Sequence, residues 1–154
     1  MKYVVGLLIG LCSAFSYAQD DMKVILVGDG FTSNNHPAAT IYNCTEDQQN
    51  CIQYTFNSKS LSALLNGEKL SNKMRDNLDL VAEANMNGKY FVISNKHKSI
   101  FVVQVSENDK EAKKLTLNYN LLLTSTKGDE QLALKGEHIT VEGDFYNKLV
   151  GIVE

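Results

Sequence analysis

Leu78-Asp-Leu-Val-Ala-Glu-Ala-Asn-Met86, then Asn87-Gly88, then Lys89-Tyr-Phe-Val-Ile93 is the stretch that decides the fold class. Leu78, Leu80, Ala82, Ala84 and Met86 alternate with other side chains, the two-residue period of a half-buried strand. An Asn-Gly pair between two such runs is a strong local signal for a tight hairpin, because both turn positions need positive φ.

The same pattern spreads outward. Asn95-Lys-His97-Lys reads as the next turn and Ser99–Val105 as the next strand. Leu115-Thr-Leu-Asn-Tyr-Asn-Leu121 alternates without a break. Lys127-Gly128-Asp129 turns the chain. Leu132 and Leu134 alternate, Gly136 turns, Ile139 and Val141 alternate, Gly143-Asp144 turns, and Leu149–Val153 closes the chain as a last apolar run. Towards the front, Lys23–Val27 and Ile52–Phe56 read as strands. The expected fold class is therefore mostly β: an antiparallel barrel or sandwich of about 8–10 short strands.

Residues 58–77 carry two readings. Leu61, Ala63 and Leu65 before Asn66-Gly67 suit a hairpin, whereas Leu70, Met74, Leu78 and Val81 fit a helical face. Ser60 would cap a short helix ending at Gly67. One short helix around 60–77 is expected.

The start of the chain is an address. Lys2 is followed by an apolar run, Val4–Cys12, and by Ser16-Tyr17-Ala18, a small-x-small cleavage site. That is the pattern of a signal peptide over 1–18, cut after Ala18. The run is shorter than the about 20 apolar residues of a membrane span. Residues 19–154 then form a single β-rich domain, periplasmic or secreted, with no membrane span after cleavage. Cleavage removes Lys2, the one charged residue of 1–18, and takes the net charge from −3 to −4. No basic cluster stands in the chain, so no nucleic-acid partner is expected.

Cleavage also removes Cys12 and leaves Cys44 and Cys51. An even pair in an exported domain is expected to form a disulfide bond. A zinc site would want four ligands in close pairs, and His36 alone stands near.

Motifs for chemistry fall short. Val24–Val27 running into Gly28-Asp29-Gly30 lacks the third glycine of a dinucleotide loop and the Gly-Lys-Ser/Thr of a phosphate loop, and reads as a strand ending in a loop. Asp29–Asn35 lacks the calcium-loop spacing, since Phe31 stands at a ligand position. His36, His97 and His138 are scattered, and Glu83, Glu107 and Asp144 are spread through strands and turns. Neither set makes a nucleophile–base constellation by local spacing. No metal, cofactor or catalytic residue is assigned, and the chain is not read as an enzyme. Asn43-Cys44-Thr45 matches the N-glycosylation acceptor. The aromatics Tyr42, Tyr54, Phe56, Tyr90, Phe91, Phe101, Tyr119 and Phe145 sit mostly in strands and read as core and cross-strand pairs.

Tyr42-Asn43-Cys44, Asn66-Gly67-Glu68 and Asn87-Gly88-Lys89-Tyr90 follow one another in an order that resembles the small β-barrel inhibitors of C-type lysozyme from bacterial envelopes. The resemblance implies an architecture, a small β-barrel. The serine of that family's inhibitory loop would fall near Ala84–Tyr90, where none stands, and its late cysteine is missing, so no functional residue carries over.

The function expected is that of an exported β-domain binding a protein partner, as an inhibitor, immunity or envelope-assembly protein. The alternatives are a β-barrel carrier of a small apolar ligand and a hydrolase with an unrecognised site.

Overall fold

The computed structural model describes residues 21–32, 35–73 and 80–153. The signal peptide expected over 1–18 and the apolar residues Met74 and Leu78 lie outside the described residues.

Nine strands and two helices are found among the described residues: β1 Lys23–Phe31, β2 Pro37–Cys44, β3 Cys51–Asn57, α1 Ser58–Leu65, β4 Leu70–Ser71, β5 Val81–Met86, β6 Lys89–Val92, β7 Ile100–Asp109, β8 Lys114–Ser125, β9 Gln131–Glu142 and α2 Gly143–Val150. The class is as expected, a mostly β antiparallel sheet. It does not close into a barrel.

The sheet is a meander. β1 pairs β2, β2 pairs β3, β3 pairs β5 and β5 pairs β6, all antiparallel. β6 and β7 both run antiparallel to β8, at Phe91↔Ser125 and then Ile100↔Leu122, so they are two halves of one strand interrupted at 93–99. β4 lies on the far edge of β7 as β5 lies on β6. β9 covers the other edge of β8 along nearly its whole length. The nine strands therefore occupy seven strand positions.

Alternation follows the period read from the sequence. Ile52, Tyr54 and Phe56 point inward from β3, Ala82, Ala84 and Met86 from β5, and Leu115 to Leu123 at every second residue from β8. The rings of Tyr54, Phe56, Phe91, Phe101 and Tyr119 fill the interior, whereas Tyr90 is exposed on the β5–β6 hairpin and Tyr42 and Phe145 are only partly buried. Full burial of one such side chain contributes roughly 1.5–3 kcal/mol. Asn87 and Gly88 turn β5 into β6 with φ of 51° and 74°, as the Asn-Gly signal requires.

Five local readings are corrected. The helix is shorter and earlier than 60–77, because Leu70–Ser71 is drawn into a strand against β7. Asn57, not Ser60, caps it: its Oδ1 accepts from the Ser60 N–H at 2.6 Å. Gly67, at φ 90°, ends it with the Gly67 and Glu68 N–H groups donating to Leu64 and Ala63.

Gly28-Asp29-Gly30 does not leave the sheet, since β1 runs through it to Phe31, opposite Ala38–Thr40. The segment after it is the strand β2, with Pro37 at its first position, where a missing N–H is tolerated.

Gly136 is not a turn. It is an extra residue within β9, at φ 67°, where the register with β8 shifts between Tyr119 and Asn120. Its N–H donates to Asn120 Oδ1 at 2.9 Å. A bulge reverses the inward and outward faces beyond it, so Leu132 and Leu134 point inward before it and Ile139 and Val141 after it.

The end of the chain is a helix, not a strand. Phe145, Tyr146, Leu149 and Val150 share one face of α2, packed on the core. Tyr146 donates its hydroxyl to Asn108 Oδ1 at 3.0 Å. Asp144 in the first turn and Lys148 in the last complement the helix dipole.

Candidate functional site

Cys44 and Cys51 are directly opposite in the β2–β3 register and are bonded, with Cα atoms 4.1 Å apart. The bond closes the turn 45–50, where Asp47 Oδ1 accepts from Thr45 Oγ1 and the Gln49 N–H. Asn50 Oδ1 accepts the Asn87 N–H at 2.7 Å, joining this turn to the next hairpin. Asn43 is 3% exposed and faces inward, so the acceptor asparagine of the glycosylation motif is almost wholly covered.

The three histidines occupy three places. His36 lies in the β1–β2 connection, His97 in the 93–99 excursion against Gly128, and His138 on the outer face of β9 opposite Asn118. The carboxylates are also dispersed. Glu83 accepts the Tyr90 hydroxyl across the β5–β6 hairpin, and pushes that phenol up to about 12. Glu107 bridges Lys114 at 3.0 Å and accepts from Thr116, and is lowered as a result. Asp144 sits in the first turn of α2. Among the described residues no group of three His, Cys, Asp or Glu side chains is placed to hold a metal. No helix there is long and apolar enough to cross a membrane.

The candidate site lies where the sheet fails to close. The sheet wraps round until β1 and β9 face each other, with Cα atoms within 8 Å. Directly paired strands stand about 4.7–4.9 Å apart, and among the described residues no backbone hydrogen bond joins these two. Between them is a half-open cleft of about 610 Å³, within the roughly 300–1,000 Å³ typical of ligand sites. Its floor is Met22, Val24, Ile139 and Phe145, the margin of the apolar core, with Asn43 beside them. Its rim carries Lys23, Lys114, His138, Thr140 and Glu142. α2 stands over the continuation of the gap and is tied to β1 by Lys148 to Asp29, 3.2 Å apart. The Lys148 hydrogen bond is the main reason the exposed Asp29 carboxyl is lowered.

Behind Asn43 the interior has a polar spot. Among the described residues the fully buried Tyr54 hydroxyl finds no hydrogen bond of good geometry, although the Tyr119 hydroxyl and the Asn43 side chain lie close enough to interact with it. Burial first, then Tyr119, with a smaller contribution from the Glu137 carboxylate, hold this phenol well above its ordinary range. Glu137 is there because of the bulge: it sits opposite Tyr119 in register and so shares its inward side.

Of the cleft residues, the sequence singles out His138 as a scattered histidine and Asn43 in the glycosylation motif, and it gives Lys23, Val24 and Ile139 only as strand residues. None of these, nor Met22 or Phe145, carries a local signal of a shared cleft, because the cleft joins the two ends of the meander.

No family model matches the chain, and searches of curated proteins and of solved structures return no match.

Proposed function

We propose that the chain is an exported binding domain whose protein partner seats in the cleft between β1 and β9. The observation that carries this reading is the unclosed sheet. Among the described residues, two strand edges flank an apolar floor that lines a half-open cleft. Exposed edges are a liability that small β-proteins otherwise blunt with charge, proline or cover, and the central run of β1, Val24-Ile-Leu-Val-Gly28, has neither charge nor proline. The packing of Tyr54, Phe56, Phe91, Phe101 and Tyr119 in the interior favours recognition at the edge over carriage of an apolar molecule inside. The N-terminal export pattern and the Cys44–Cys51 bond favour a partner met outside the cytoplasm.

The test is site-specific photo-crosslinking in the envelope of the producing cell. A crosslinking residue at exposed His138, on the cleft rim, should yield a discrete adduct, and one at exposed Lys59, on α1, should not. Adducts absent at both positions, or the same at both, would overturn the reading.

A further inference from the structure

We infer that what the cleft takes is one extended strand of the partner, running antiparallel to both β1 and β9 and completing an antiparallel barrel. This rests on the partner-binding reading above and specifies its chemistry.

The argument is one of parity. Each neighbouring pair in the sheet is antiparallel, and six such steps lead from β1 to β9. An even number of reversals leaves β1 and β9 pointing the same way. Seven strand positions cannot close as an all-antiparallel barrel, but one more strand between the two ends makes an even number and satisfies both edges. An inserted strand would find an unpaired edge on each side, so main-chain hydrogen bonds give affinity and alternate side chains give specificity.

The berth must open to take one strand. Two strands that flank a third stand about 9.5 Å apart, twice the ordinary spacing. β1 and β9 come within 8 Å, closer than that, and among the described residues no backbone hydrogen bond holds them together. The gap therefore widens to admit a guest, and its cover α2 is held to β1 by the exposed Lys148–Asp29 pair.

The lining sets the guest's side chains. Those turned inward meet Val24, Ile139 and Phe145, so alternate positions are apolar. Of the charges on the rim, Lys114 already pairs with Glu107 and Glu142 is itself a carboxylate, so Lys23 is the cation that a guest meets. An acidic side chain on the guest's outward face complements it. Direction follows from the strands: the guest's N-terminal half lies beside Glu142 and its C-terminal half beside His138.

The experiment pans a phage library of short random peptides against the full exported chain. Selected peptides are then synthesised with a nitroxide at either end and bound to isotope-labelled protein. Sequences alternating apolar residues with Asp or Glu are expected. The N-terminal label should erase amide signals at Glu142 and Gly143, the C-terminal label those at His138, and the edge amides of β1 and β9 should exchange more slowly. Peptides that occupy the cleft with the opposite polarity, or without slowing those amides, overturn the strand inference and leave the binding cleft standing. Selection of no peptide, or of peptides that perturb another face, overturns both.

Discussion

The rings of Tyr54 and Tyr119 meet edge-on inside the sheet, their centroids 5.1 Å apart and their planes at 63°. The contact stacks β3 on β8 across the core and buries the Tyr54 hydroxyl beside a second phenol without a hydrogen bond of good geometry. A buried, unsatisfied hydroxyl costs roughly 1–3 kcal/mol, and its apolar replacement can be neutral or stabilising. Tyr54→Phe should therefore leave the unfolding free energy from urea titration unchanged or raise it by up to about 1 kcal/mol. A loss of more than that would mean the hydroxyl is bonded.

The same phenol makes stability depend on alkaline pH. Its folded pKa is raised above the unfolded value of about 10. The contribution is fully present below pH about 10 and is lost as pH rises through the folded value. Urea midpoints should fall above that pH, and fall less steeply in Tyr54→Phe.

Tyr90 reports on its own partner. Its phenolate would face the Glu83 carboxylate, so the phenol titrates at about 12. Glu83→Gln removes the like charge, and the ultraviolet titration of Tyr90 should return towards about 10. An unchanged titration would show that the carboxylate is not the cause.

Reducing the Cys44–Cys51 bond opens a short loop that spans a sequence separation of 7. The expected loss of stability is about 2–3 kcal/mol in the chain-entropy model. Thiol reagents should label neither cysteine in the native protein, and ready labelling of both would contradict the bridge.

Gly136 is a test of the bulge. A Cβ there meets nothing within 4 Å, so Gly136→Ala carries only the backbone cost of positive φ, about 1 kcal/mol. Deleting the residue should be far worse, because Glu137 to Glu142 would exchange inward for outward faces. Equal thermal shifts for the two variants would refute the bulge.

Asn57→Ala should cost about 1 kcal/mol, because the side chain caps α1 from a buried position. Equal stability of variant and parent would show that the cap is dispensable.

Much of this protein is local and was legible as such. Two-residue alternation, Asn87-Gly88 and the pair Cys44 and Cys51 determine strand character, one hairpin and the bridge, since each depends on neighbours in the chain or on compartment. α2 was hidden because Leu149–Val153 is a short apolar run, which period alone does not assign. Its partners, Phe145 and Tyr146, complete a helical face only when the turn at Gly143-Asp144 is read as a helix start. Gly136 was hidden because a bulge and a turn both ask for positive φ, and only the unbroken partner β8 distinguishes them. The cleft belongs wholly to tertiary structure. Whether β1 meets β9 depends on the twist and register accumulated over every intervening strand, a sum that no single segment contains. That sum leaves the two edges within 8 Å and, among the described residues, unpaired with each other.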